Sequence, residues 1–137
     1  MVTCSTGQHR DILDQLVNLT GFKTDMDLGL MRKKPKLSEI VTDVLQAMER
    51  VVGDVQPDRI LVQGAATTTK AASLATFHNR VPVAHIEAGL RTNDLMSPVP
   101  EEANRRIVIV IADMHFAPTD AARDNLLGEN VKPENIT

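Results

Sequence analysis

Three places along the chain put reactive residue types where a fold could use them. The first is His85-Ile86-Glu87-Ala88-Gly89-Leu90-Arg91, a carboxylate at the end of a β-leaning run and beside a glycine turn. A carboxyl flanked by buried surface can have a raised pKa and act as acid or base. The same spacing also suits a surface glutamate paired with Arg91, and the residues alone leave both open. The second is Pro98-Val99-Pro100-Glu101-Glu102-Ala103-Asn104-Arg105, two acids at a helix start. One acid in a first turn complements the helix dipole, which accounts for Glu102 and leaves Glu101 as the candidate for a site. The third is Gln63-Gly64-Ala65-Ala66-Thr67-Thr68-Thr69, where backbone amides at a helix N-terminus could hold an anion. It lacks the dinucleotide fingerprint and the Lys-Ser/Thr of a P-loop, so it reads equally as a tight turn. Gln8-His9-Arg10 could contact a diphosphate or be solvated, and His78 and His115 read as ordinary histidines. No histidine pair has metal-ligand spacing and no nucleophile motif is present, so neither a metal nor a cofactor is expected.

The elements that must carry these residues alternate. Val2-Thr3-Cys4-Ser5 leans to strand. Ile12, Leu13, Leu16 and Val17 share one helical face between Gly7 and Gly21. Residues 22–36, with the basic cluster Arg32, Lys33, Lys34 and Lys36, read as a loop. Leu37, Ile40, Val41, Val44, Leu45, Met48, Val51 and Val52 predict a helix that Gly53 stops. Arg59–Gln63 predicts a strand, 66–77 a helix of small residues, and Val81–Ile86 another strand with Pro82 at its start or on an edge. Pro100 at the first position predicts a helix over Glu101–Ala112. Ile107-Val108-Ile109-Val110-Ile111 is the point of conflict, because an unbroken β-branched run favours strand by propensity. Met114–Ala117 predicts a strand, and Thr119 caps a last helix that Gly128 ends. Such alternation implies α/β, a Rossmann-like parallel sheet with helices on both faces, and ligands bind at the carboxyl ends of such strands. Gly64 and Glu87 fall on that rim.

Composition narrows the possibilities. The chain's 137 residues suffice for one domain, and 42% are hydrophobic, enough for a core. A net charge of -3 and 2% aromatic content argue against a nucleic-acid partner. Cys4 is the only cysteine, which rules out an internal disulfide and fits a reducing compartment. No apolar run reaches the ~20 residues of a membrane span and no signal-peptide pattern opens the chain, so a cytoplasmic protein without a membrane partner is expected.

Several segments together resemble the bacterial non-hydrolysing UDP-N-acetylglucosamine 2-epimerases. They are His85–Thr92, Asp94-Leu95, Ser97-Pro98 and Pro100–Arg105, with Gln8-His9-Arg10, Leu13-Asp14-Gln15, Leu61–Gly64, Thr67-Thr68-Thr69 and His115–Thr119. The resemblance implies part of the N-terminal domain of a glycosyltransferase-B-like pair of Rossmann-like domains, and a homodimer. It implies that residues 1–137 form a single partial domain, the family's first strand preceding Met1 and its second domain following Thr137. The implied substrate is a UDP-sugar. The implied reaction eliminates UDP to give 2-acetamidoglucal, then adds it back with C2 protonated from the other face. In that scheme Glu87 and Glu101 are catalytic and His85 and Arg105 bind substrate. Gln8 and Lys34 lie at an effector site. The family has Gly-Asp-Thr where this chain has Gly64-Ala65-Ala66, so a third carboxylate is replaced by Ala65. Two other expectations compete: a remnant or nucleotide-sugar-binding module that kept the fold without the reaction, and an unrelated flavodoxin-type binding domain.

Overall fold

The structure, a computed structural model, describes residues 1–7, 19, 21, 23–30 and 35–137. The helix expected between Gly7 and Gly21, and with it Gln8 and Lys34, lie outside the described residues.

Among the described residues, five parallel strands form two sheets. Cys4–Ser5 (β1) pairs with Met26–Asp27 (β2), and Ile60–Gln63 (β3), Val83–Ile86 (β4) and Met114–Phe116 (β5) form the second sheet in the order β3-β4-β5. β2 corrects the expectation of a loop over 22–36. Two ladder pairs suffice to make it a strand, too short for an alternation to show. Four helices are described: Leu37–Val55 (α1), Thr67–His78 (α2), Glu101–Ile111 (α3) and Asp120–Gly128 (α4), followed by a 3-10 turn at Pro133–Asn135.

The apolar stripe of α1 buries Val44, Ala47, Met48, Val51 and Val52. Its first turn is tied by the Glu39 carboxylate, which accepts the Lys36 N–H at 2.8 Å. Gly53 does not stop the helix. The chain stays helical to Val55 and turns at Gln56, whose left-handed backbone (φ 47°) and N–H bond to the Val52 carbonyl make the stop before Pro57. α2 is built from small residues because it lies between α1 and α3. Ala71, Ala72, Ala75, Ser73 and Thr76 are buried. The Ser73 and Thr76 hydroxyls return their hydrogen bonds to the helix, to the Thr69 and Ala72 carbonyls.

The Ile107–Ile111 run is helical. Val108 and Ile109 are buried in two separate clusters, Val108 in the core shared with α1, α2, β3 and β4, Ile109 against Ala88 and Leu126. Tertiary burial on two faces therefore overrides the strand propensity. Pro100 sits one place earlier than expected, at the N-cap, and Glu101 is the first helical residue. The strand starts at Val81 and Val2 and the strand end at Ala117 are each one or two residues long of the observed bounds. Thr119 does cap α4, its hydroxyl accepting the Ala122 N–H at 3.1 Å. At the far edge of the sheet, Arg59 makes a two-pronged bond to Asp113, bracing the starts of β3 and β5.

Candidate functional site

The ladder bonds run past the strand ends and gather three turns on one rim. Gly64 N–H donates to the Ile86 carbonyl and Ala88 N–H to the Phe116 carbonyl, each at about 3 Å. Gly64 adopts φ 74°, which lets the chain leave β3 without a side chain in the way. A Cβ there would lie 3.5 Å from Glu87 Oε2, so the Glu87 carboxylate rests over that turn. Glu87 itself has φ 67°, a left-handed conformation a glutamate adopts only when its surroundings impose it.

From the other side α3 reaches the same turn. The Asn104 side chain is 1% exposed and its Nδ2 donates to the Ala65 carbonyl at 2.9 Å. Glu101, one helical turn earlier, shares that face of the helix, as does Arg105 at i+4. Glu101 Oε2 and Asn104 Oδ1 are both buried without a hydrogen-bond partner among the described residues. The sequence motif named Glu101 and Arg105 and missed Asn104. Its spacing of three from Glu101 was the available signal.

His85 lies behind the turn. It is fully buried and its Nε2 bonds the Gly64 carbonyl at 2.9 Å, so it fixes the backbone on which Glu87 rests. Burial pushes its pKa down, more than the Gly64 carbonyl pushes it up. His115 stands in register with it on β5, is equally buried, and is likewise lowered, first by burial and then by His85.

Glu102 is not the dipole-facing surface acid that the sequence implied. Its side chain is fully buried and accepts the Thr92 N–H and Arg106 Nε, both at 3.1 Å, with Arg105 at 3.5 Å. Desolvation pushes this carboxyl up, but the Thr92 N–H, Arg106 and the charge of Arg91 outweigh it and hold it below the ordinary range. Arg91 does not pair with Glu87. It grips Glu129 of the α4 C-cap through Nε and Nη2 at 2.6 and 2.9 Å. That bond is the largest cause of the low pKa of Glu129.

A groove of about 380 Å³ lies at the end of β5, lined by Ala117, Pro118, Thr119, Asp120, Arg123 and Thr137, and Glu87, Glu101 and Asn104 do not line it. Among the described residues no cluster of three or more His, Cys, Asp or Glu could hold a metal, and no helix is long and apolar enough to cross a membrane.

The family model described as UDP-N-acetylglucosamine 2-epimerase matches residues 1–137. This chain belongs to that family. The UDP-N-acetylglucosamine 2-epimerase of Neisseria meningitidis is 48% identical over 133 residues, 97% of this chain and 36% of that protein. Its counterpart from Salmonella typhimurium is 49% identical over 97% of this chain and 35% of the relative. Among solved structures, the Neisseria meningitidis UDP-GlcNAc 2-epimerase bound to UDP-GlcNAc superposes with a TM-score of 0.92 at 47% identity, covering 98% of this chain and 37% of that one. The chain thus spans about a third of the length of the relatives it matches. Membership in this epimerase family removes the flavodoxin-type expectation. The fold is the α/β, Rossmann-like arrangement expected.

Proposed function

We propose that this chain carries the carboxylate wall of a UDP-N-acetylglucosamine 2-epimerase site, with Glu87 and Glu101 as the proton-transfer pair. The observation that carries the proposal is the convergence of two separate elements on one turn. Glu87 lies over Gly64, and the Glu101 face of α3 is bonded to Ala65. Carboxyls on opposite sides of a bound sugar suit inversion at C2. One takes the C2 proton as the C1–O bond breaks and UDP leaves, giving 2-acetamidoglucal. The other delivers a proton to C2 from the opposite face as UDP adds back to C1. Arg105, 18% exposed at its side chain, is on the same face of α3 and supplies a positive charge for the substrate. His85 acts through Gly64. Gln8 and Lys34 remain the effector-site candidates. Residues 1–137 as one partial Rossmann-like domain, homodimeric assembly and a cytoplasmic location belong to the same proposal.

The test is a calorimetric titration of the 137-residue polypeptide with UDP-GlcNAc and with UDP, alongside deuterium exchange at C2. Binding of UDP-GlcNAc is expected. No detectable exchange is expected from the polypeptide, because it spans about a third of its relatives' length and because Ala65, which can neither transfer a proton nor accept a hydrogen bond through its side chain, stands where the resemblance implies a third carboxylate. The absence of any binding removes the proposal, and C2 exchange by the polypeptide removes the requirement for a third carboxylate at position 65.

A further inference from the structure

The stretch Ala88–Pro100 joins the two proposed catalytic carboxylates, and most of it from Asn93 onward is exposed. Its first residues are held from two directions. On the α4 side, Asn125 Nδ2 donates to the Gly89 carbonyl at 2.9 Å and Glu129 clasps Arg91, whose side chain is only 2% exposed. Gly89 approaches α4 so closely that a Cβ would sit 2.2 Å from the Ala122 carbonyl oxygen. On the α3 side, the side-chain bond that holds this segment among the described residues runs from Thr92 N–H to Glu102. Glu102 is the residue next to Glu101, and Thr92 is five residues beyond Glu87. One buried carboxylate therefore ties the helix that carries Glu101 to the segment that leaves Glu87, and Arg106 and Arg105 compensate its charge.

From this geometry we infer that Glu102 is a positioning residue that sets the placement of Glu101 relative to Glu87, with Arg91 and Glu129 as the second half of the same clamp. A buried charge needs partners on every side, and each partner here belongs to an element that carries or flanks the site. Replacing the carboxylate with a neutral amide keeps the volume and one acceptor oxygen but leaves Arg106 less well compensated. The inference rests on the epimerase reading, because the spacing of the two carboxylates matters only if both address the same sugar.

The experiment measures UDP-GlcNAc and UDP binding to the 137-residue polypeptide for wild type, Glu102→Gln, Glu129→Gln and the double variant. In Glu102→Gln the affinity for UDP-GlcNAc should fall roughly tenfold, as loss of a charge-assisted bond implies, while the affinity for UDP is unchanged. That split separates positioning at the sugar from general loss of structure. Glu129→Gln acts at the more exposed end of the clamp and should lower UDP-GlcNAc affinity in the same selective way, which keeps the test valid if Glu102→Gln does not fold. The double variant should lose less than the product of the two single losses, because both act on one segment. Equal loss for both ligands, independent losses in the double variant, or no change in Glu102→Gln would overturn the inference. Failure of the wild type to bind UDP-GlcNAc would instead remove the functional reading beneath it.

Discussion

Replacing Ala66 by threonine should stabilise the protein by about 1 kcal/mol, the ordinary worth of a side-chain N-cap. Ala66 is the N-cap of α2, with φ -65° and ψ 154°, and no side chain caps the helix there. A threonine hydroxyl at that position would accept the N–H of Thr69, the third helical residue. The protein already contains the arrangement at Thr119, whose hydroxyl accepts the Ala122 N–H at 3.1 Å. The unfolding entropy of a 137-residue chain is about 0.3 kcal/mol/K, so 1 kcal/mol corresponds to a rise of about 3–4 °C in Tm. Differential scanning calorimetry of Ala66→Thr against Ala66→Val isolates the hydroxyl, since valine has the same branched shape without the oxygen. Equal Tm values for the two variants would refute the capping argument.

Three further outcomes are expected. Gly89→Ala should cost more than about 2 kcal/mol in urea unfolding, because φ is 85° and the new methyl meets the Ala122 carbonyl; a cost near zero would mean that the segment can move away. Stability should decline as pH falls through about 6.5, the ordinary histidine value. His85 and His115 are lowered in the folded state, so the unfolded chain binds protons first and their contribution is present above 6.5 and lost below it. Glu102 and Glu129, also lowered, keep their contribution until the pH falls below the ordinary carboxylate value of 4.5; urea midpoints from about pH 8 to about pH 2 would show both windows, and a flat profile near 6.5 would contradict the histidine assignment. Arg59→Ala should cost less than about 1 kcal/mol, since its pair with Asp113 is 33% and 49% exposed, and thermal unfolding in high salt should narrow even that difference.

The periodicity of Leu37–Val52, the Thr119 cap and the glycine after β3 carried the fold, because each is a local signal that the tertiary structure repeats. The Ile107–Ile111 run misleads by propensity because α3 is buried on two sides, so its pattern carries no single face. The candidate site was legible where a motif marks it, at Glu87 and Glu101. Glu102 was misread because its partners, Thr92 and Arg106, are ten residues before it and four after, and only the folded chain shows that they close around one carboxylate. Arg91 and Glu87 are two charges near in sequence, but the partner of Arg91 is 38 residues away on the α4 cap.

The backbone at Glu87 has an evolutionary corollary. Holding a glutamate in the left-handed region costs about 1 kcal/mol or more, and glycine would occupy it without that cost. Glu87→Gly should therefore raise stability while deleting the carboxylate over Gly64. Selection for folding alone would drift this position toward glycine, so the glutamate in this chain runs against what stability favours.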